Sequence, residues 1–415
     1  MIQEIRIKNF LSFRDEVVLN FEATKDKTFE DCQVVSVTPK VRLLRFALIL
    51  GANASGKSNL LKAIDFLHQF WFDIKNDMNR ETGTIPFLLD TDTPTEPSEF
   101  NVVFYVGAKK YWYQLILDNT KVIKEDLYVY NSVQPSLVFG RTLEGSQSVV
   151  KLNTNLVKAS TAVIEQLNIK CLPNMSFFAA RNQVNCTLLY IDEVRDWMRD
   201  NLMPIITPDT KMFEYAGSKM EKENELKKYI LDFLRKADFN ITDVFSEKEA
   251  MPLPGIIRAS IADDKAIPAK VKEKILAENS MERLKTDFQH TVRNDRGVET
   301  YTLPNSLQSA GTRRTFGIEA AIYDALKKEC ALPVDEIESS LHPELVEFII
   351  QKFLSEKNRS QLIVTSHYDP LLNTVDDLIR KDMVWFTEKE EDGHTKLCSR
   401  TDYRGVGRIS SFHKT

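Results

Sequence analysis

Gly51-Ala52-Asn53-Ala54-Ser55-Gly56-Lys57-Ser58 decides the fold of this chain. It is a complete G-x-x-x-x-G-K-[ST] loop, and its flanks have the character that such a loop requires. Leu43-Leu44-Arg45-Phe46-Ala47-Leu48-Ile49-Leu50 before it is a mostly apolar run that reads as a strand. Asn59-Leu60-Leu61-Lys62-Ala63-Ile64-Asp65-Phe66-Leu67 after it has helical periodicity. Strand, glycine loop and helix build an anion site, because loop N–H groups and the positive end of the helix dipole attract phosphates. The ligand implied is a nucleoside triphosphate with Mg²⁺. Lys57 is expected to reach the β- and γ-phosphates, and the Ser58 hydroxyl to ligate the metal. An ordinary glycine turn would not account for both flanks.

At 415 residues the chain has room for two domains, or for one large domain with an insertion. Its 43% hydrophobic and 28% charged content is that of an ordinary soluble globular protein. A net charge of −5 argues against a surface built throughout for nucleic acid, though not against a local basic groove. The five cysteines are scattered without a C-x-x-C pair, so neither a disulfide framework nor a zinc site is expected, and a reducing cytosol fits. Met1-Ile2-Gln3-Glu4-Ile5-Arg6-Ile7-Lys8 largely alternates and reads as a first strand rather than a signal peptide. No apolar run approaches a membrane span, so a cytoplasmic protein with no membrane partner is expected.

The segment 98–155 is rich in strand signals. Phe100 to Val106, Lys110 to Leu117 and Asp126 to Tyr130 are separated by turns at Gly107 and Asp118-Asn119, which predicts an antiparallel meander. From about residue 186 the character changes to charged helical stretches, including one from Ala269 to Leu284. The expected division is an N-terminal lobe over 1–185, a mainly helical insertion over 186–285, and a C-terminal lobe over 286–415. The fold class is α/β, a core split by an insertion.

The segment Glu329 to Pro343 supplies a second half for the site. Ala331-Leu332-Pro333-Val334 reads as a short strand, with Pro333 counting against it, and it ends in Asp335-Glu336. Asp335 at such an edge would hold Mg²⁺, and Glu336 could activate the attacking water as general base. By itself, a solvated acidic loop is an equal alternative. Upstream, Ser309-Ala310-Gly311-Thr312 leads into a helix expected from about 312 to 328, a further anion site. Downstream, Gln361-Leu362-Ile363-Val364-Thr365-Ser366-His367 is an apolar strand ending in a histidine that could bond a γ-phosphate or the water, or be structural.

The order of phosphate loop, S-x-G segment, Asp-Glu strand and histidine resembles the ABC-type ATPase heads, among them the SMC, double-strand-break-repair and RecF-like proteins. Ile7-Lys8-Asn9-Phe10-Leu11-Ser12-Phe13, the loop with Asn59 after it, and Asp335-Glu336-Ile337-Glu338-x-x-Leu341-His342-Pro343 resemble one branch more closely. That branch is the prokaryotic AAA-family ATPases related to OLD-type proteins, many of them in anti-phage operons. The likeness covers 1–70 and 300–390 well and the middle poorly.

The resemblance implies an ABC-ATPase head, a P-loop core with a mixed sheet and an antiparallel β arm, acting on ATP with Mg²⁺. Gly51, Asn53, Ser55, Gly56, Lys57, Ser58 and Asn59 would hold the nucleotide, and Asp335 and Glu336 would close the acidic strand. Ser309, Gly311 and Thr312 would be the signature that reaches the nucleotide of a second copy. His367 would be the switch histidine, and Ser340-Leu341-His342 the D-loop. A Q-loop should follow a strand entering the helical lobe. Met175 to Gln183 fits that place, so Gln183 is a candidate third group at the metal, a plain loop residue being the alternative. The signature Gln308-Ser309-Ala310-Gly311-Thr312 departs from the Leu-Ser-Gly-Gly-Gln of transporters, and the insertion lacks the heptads of a coiled-coil arm. The stretch after His367 is short for the TOPRIM domain of OLD nucleases, so any nuclease activity is expected to reside in a partner. The leading expectation is a dimerising ATPase that serves as sensor or scaffold for a separately encoded effector in anti-phage defence. A DNA-clamping repair ATPase and an ATP-gated module with negligible turnover are the alternatives.

Overall fold

Phe46–Leu50 is a strand buried along its whole length, and so are Gln361–Ser366 and Ala331–Val334. Unbroken burial of largely apolar strands is what a parallel sheet covered on both faces requires. In the computed structural model, which describes residues 1–237, 240–264, 269–278 and 280–402, these strands form one five-stranded sheet. Phe46–Leu50 lies between Gln361–Ser366 and Val384–Lys389, both parallel to it. Ala331–Val334 continues the sheet in parallel on one side, and Thr395–Ser399 closes it antiparallel on the other. The C-terminal ends of four parallel strands therefore share one edge, where open α/β sheets carry their ligands.

Pro333 is accommodated within its strand. Its carbonyl accepts from Ile206 N–H at 3.0 Å, and in a parallel ladder its nitrogen faces the same neighbour. That neighbour, segment 202–206, pairs with the strand through isolated bridges, Leu202 to Ala331 and Ile206 to Val334, so the missing donor falls between them, where pairing is already incomplete.

The chain divides into two compact units. The first comprises Met1–Asp209, Asp324–Ser339 and Val346–Thr415. Besides the parallel sheet it holds a seven-stranded antiparallel sheet, ordered Gln147–Leu152, Ser136–Glu144, Val122–Tyr130, Lys109–Leu117, Ser98–Val106, Ile2–Lys8, Val17–Asn20. Lys109–Leu117 alternates between buried and half-buried residues, the pattern of a one-sided sheet. The helix Lys57–Phe70 buries Leu60, Leu61, Ala63, Ile64, Leu67 and Phe70 on one stripe. Phe66 on that helix stacks against Phe100 of the antiparallel sheet, with ring centroids 5.2 Å apart.

The second unit comprises Thr210–Tyr323 and Ser340–Leu345. It contains helices Met212–Met220, Asn224–Lys236, Gly255–Asp263 and Ala269–Glu278, and most of Ala310–Lys328. It also contains an antiparallel sheet, Ile241–Pro252, Ser280–Asn294 and Gly297–Pro304, that the charged, helical reading of 186–285 misses. The helix expected from Ala269 to Leu284 ends at Glu278, and a strand begins at Ser280. The reason is a period of two: Thr286 and Phe288 are buried, while Lys285 between Leu284 and Thr286 is exposed. Phe213, Phe288 and Phe316 cluster at the core of this unit, with centroids 5.2 to 6.1 Å apart. Among the described residues no helix is long and apolar enough to cross a membrane.

Candidate nucleotide site

The loop 51–58 leaves the strand Phe46–Leu50 and enters the helix Lys57–Phe70. Gly56 has φ 100°, the left-handed region where a side chain is strained, and a Cβ there would lie 2.3 Å from Thr395 Oγ1. The loop is braced from outside by hydroxyls. Ser55 Oγ and Thr387 Oγ1 are 2.6 Å apart, and Thr395 Oγ1 donates to the Ser55 carbonyl and lies 2.8 Å from Ser12 Oγ. Asn59 Nδ2 also donates to Ser12 Oγ, at 2.8 Å, so the N-terminal Asn9 to Phe13 motif meets the loop here. Lys57 Nζ donates to the Gly51 and Ala52 carbonyls at 2.8 and 2.9 Å. A cavity of about 430 Å³ opens beside the loop, lined by Asn53, Ser55 to Asn59 and Glu336 among others.

The acids meet the loop at the sheet edge. Ser58 Oγ donates to Asp335 Oδ1 at 2.9 Å, and Thr365 Oγ1 donates to the same oxygen at 2.5 Å. Thr365 is fully buried, and its Oγ1 also accepts from the Glu336 backbone N–H at 2.9 Å. Glu336 stands at φ 46°, an uncommon conformation for a non-glycine residue, held by that bond. Thr365 was legible only as a strand residue, yet it ties Asp335 and Glu336 to the neighbouring strand.

His367 follows Ser366, whose register partner is Leu50 at the mouth of the loop. Its Nδ1 lies 2.6 Å from Glu338 Oε1, and the same oxygen accepts from the His367 backbone N–H at 2.8 Å. Glu338 Oε2 is buried without a hydrogen-bond partner. Glu338, the third acid of Asp-Glu-Ile-Glu, stands in the sequence only as family pattern, and it is the group that fixes the histidine.

Gln183 follows a short helix, not the strand that a Q-loop reading expects. Phe177–Arg181 is a short helix rather than a strand, capped by Ser176, whose hydroxyl donates to the Trp71 carbonyl just beyond the far end of Lys57–Phe70. The chain runs on through helix Ile191–Asp200 before reaching segment 202–206, which flanks the acidic strand. There Asp335 N–H donates to the Ile206 carbonyl at 2.7 Å, so Thr207 is the residue that follows a sheet segment beside Asp335. The apolar Leu202 and Ile206 were the signal for this, obscured by Pro204 between them.

In the second unit Ser309 caps helix Ala310–Lys328: its Oγ accepts from Thr312 N–H at 3.0 Å and lies 2.8 Å from Thr312 Oγ1. A Cβ on Gly311 would come within 2.8 Å of the Ser340 carbonyl, so glycine lets the S-x-G turn and the start of Ser340-Leu341-His342 pack together.

A family model described as "AAA domain, putative AbiEii toxin, Type IV TA system" matches residues 46–151 and 218–373, more than half of the chain. The chain belongs to this family. Both matched stretches carry site residues, the first the loop and the second the S-x-G turn, the acids and the histidine. No curated protein matches the chain. Among solved structures, the chain is similar to an SMC head domain from Thermotoga maritima at 13% identity and a TM-score of 0.45, covering 96% of this chain and 98% of that one. It is similar also to an Smc head with an extended coiled coil bound to the C-terminal domain of ScpA, derived from Pyrococcus furiosus. That match has 12% identity and a TM-score of 0.42, covering 96% and 95% of the two chains.

Proposed function

We propose that this protein is the cytoplasmic ATPase subunit of a prokaryotic anti-phage defence system. In this reading it binds ATP with Mg²⁺, pairs with a second copy through composite sites, and acts as sensor and scaffold for a separately encoded effector. The observation that carries the ATPase part is the meeting of Ser58 and Thr365 hydroxyls on one oxygen of Asp335, with Glu336 beside it in the cavity of the loop. Hydroxyl and carboxylate oxygens are hard donors, the chemistry that suits Mg²⁺. Ser58 and Asp335 would hold the ion, which supplies charge neutralisation at the phosphates.

The chain's own groups then divide the work. Loop N–H groups and Lys57 hold the phosphates. Glu336 takes the proton of the attacking water, and its anchored backbone keeps the carboxylate in the cavity. His367, fixed through Glu338, acts on the γ-phosphate. Ser309, Gly311 and Thr312 serve the nucleotide of the second copy, so ATP stabilises the closed pair and hydrolysis releases it. The family description names a toxin of a TA system, which supports a system of more than one protein.

Light scattering on Glu336→Gln tests this. The expected result is a doubling of mass with ATP and Mg²⁺ and none without. A monomer in saturating ATP would overturn the composite site. Turnover stimulated by DNA and lost with added salt would favour the DNA-clamp alternative.

A further inference from the structure

The S-x-G turn of the second unit is tied down one residue before its serine. Leu307 is 69% exposed and Ser309 is exposed, yet Gln308 between them is only 9% exposed. A buried amide needs hydrogen-bond partners. Gln308 Nε2 lies 3.0 Å from His290 Nε2, and the Gln308 backbone N–H donates to the Asn305 carbonyl at 3.0 Å. An amide nitrogen only donates, so His290 Nε2 accepts and the ring carries its proton on Nδ1.

His290 stands on the middle strand of its sheet, opposite Ile241 on one side and Tyr301 on the other. Its backbone is thereby fixed by two neighbours. Residues two apart on a strand share a face, so Phe288 lies on the face of His290. Phe288 meets Phe316 edge-on, with ring centroids 5.5 Å apart. Phe316 belongs to helix Ala310–Lys328, which Ser309 caps. One face of one strand thus holds the body of the helix through Phe288 and the turn that precedes it through His290. The turn is closed again at Gly311, where the Ser340 carbonyl leaves no room for a Cβ.

We infer that His290 is a positioning residue for Ser309. Through Gln308 it fixes the turn in the place from which Ser309 serves the nucleotide of a second copy. A turn ordered in advance loses less freedom when it meets its ligand, so the bond favours pairing of the two copies. This inference rests on the reading of Ser309 to Thr312 as part of a composite site. His290 and Gln308 belong to the second unit and the phosphate loop to the first, so ATP binding by a single chain should not depend on them.

Two measurements on the Glu336→Gln chain with Mg²⁺ separate these contributions. Light scattering gives the ATP concentration at which half of the chain has doubled in mass. A fluorescent ATP analogue, at protein concentrations too low for pairing, gives the affinity of the single chain. His290→Leu keeps the bulk of the ring and removes the acceptor. It should raise the ATP concentration for doubling about tenfold, as loss of one buried hydrogen bond would, with single-chain affinity unchanged. Gln308→Leu should do the same without touching the sheet. His290→Gln, whose amide oxygen can accept where Nε2 did, should stay near the parent. Four results would overturn the role of His290 and leave the composite site standing: no shift in either leucine variant, a shift in one that the other does not share, equal shifts in His290→Leu and His290→Gln, or a matching loss of single-chain affinity. A parent that never doubles with ATP would overturn both.

Discussion

Glu338 Oε1 lies 2.6 Å from His367 Nδ1 and accepts from the His367 backbone N–H at 2.8 Å. A carboxylate oxygen only accepts, so Nδ1 carries the proton and Nε2 is the nitrogen left for a ligand. The ring is therefore oriented by the acid that follows the Asp-Glu pair, rather than by the strand end alone. Glu338→Ala removes both contacts and is expected to slow ATP turnover roughly tenfold, about 1.4 kcal/mol in the barrier. Glu338→Gln keeps an acceptor oxygen and should retain most of the rate. Steady-state turnover beside ATP affinity checks this: the alanine variant should lose rate with little change in binding. An equal loss in both variants would argue for charge rather than orientation.

Thr365 links the two acids. Its hydroxyl donates to Asp335 and accepts from Glu336 N–H, and it is fully buried. Thr365→Val keeps the shape and leaves the part-buried Glu336 N–H without its partner, which costs about 1 kcal/mol, the low end of the range for an unsatisfied donor. The expected outcome is a lower melting temperature together with a fall in turnover larger than the fall in ATP affinity, because Glu336 loses its anchor while the loop keeps its own. Calorimetric melting and ATPase rates on one preparation test both halves.

What could be read in advance follows from how local each signal is. The loop, the acidic strand and the histidine strand are each written within a few consecutive residues, and the structure sets Leu50, Val334 and Ser366 at one sheet edge. The meander was legible because turn residues punctuate alternating runs. Thr365 and Glu338 were not, because their roles exist only once two strands lie side by side. The Q-loop reading of Met175 to Gln183 rests on order along the chain, and order does not reveal that Phe177–Arg181 is a helix or that 202–206 is the segment bridged to Ala331 and Val334. The hairpin strand Ser280–Asn294 was hidden by its charges, Lys285 and Asp287, which mask the inward Thr286 and Phe288.

Ser309 has a local task and a proposed distant one, and these can be separated. Locally it caps Ala310–Lys328 through Thr312 N–H. Ser309→Ala should cost about 1 kcal/mol through the lost cap. Ser309→Asp preserves a cap but sets a negative charge where the proposal puts a partner's phosphates. In the Glu336→Gln background the aspartate variant should melt like its parent yet fail to double in mass with ATP. If it still doubles, Ser309 does nothing beyond its own helix.

Asp382 offers a pH test away from the nucleotide. Burial pushes its carboxyl up, but the Arg380 guanidinium and the Thr24 hydroxyl and N–H outweigh this and hold the pKa below the ordinary 3.8. Arg380 is fully buried and Asp382 nearly so. A folded-state pKa below the unfolded one gives stability that is present above the unfolded value and is lost as pH falls through the folded value. Asp382→Asn should therefore lower the melting temperature at neutral pH, toward the low end of the roughly 3–5 kcal/mol that breaking a buried pair costs, since asparagine keeps one acceptor. As pH falls below 3.8 the parent protonates Asp382 and the two melting curves should converge. Melting temperatures of both chains across that range decide it: a gap that stays constant into acid would mean that packing, not charge, sets the loss.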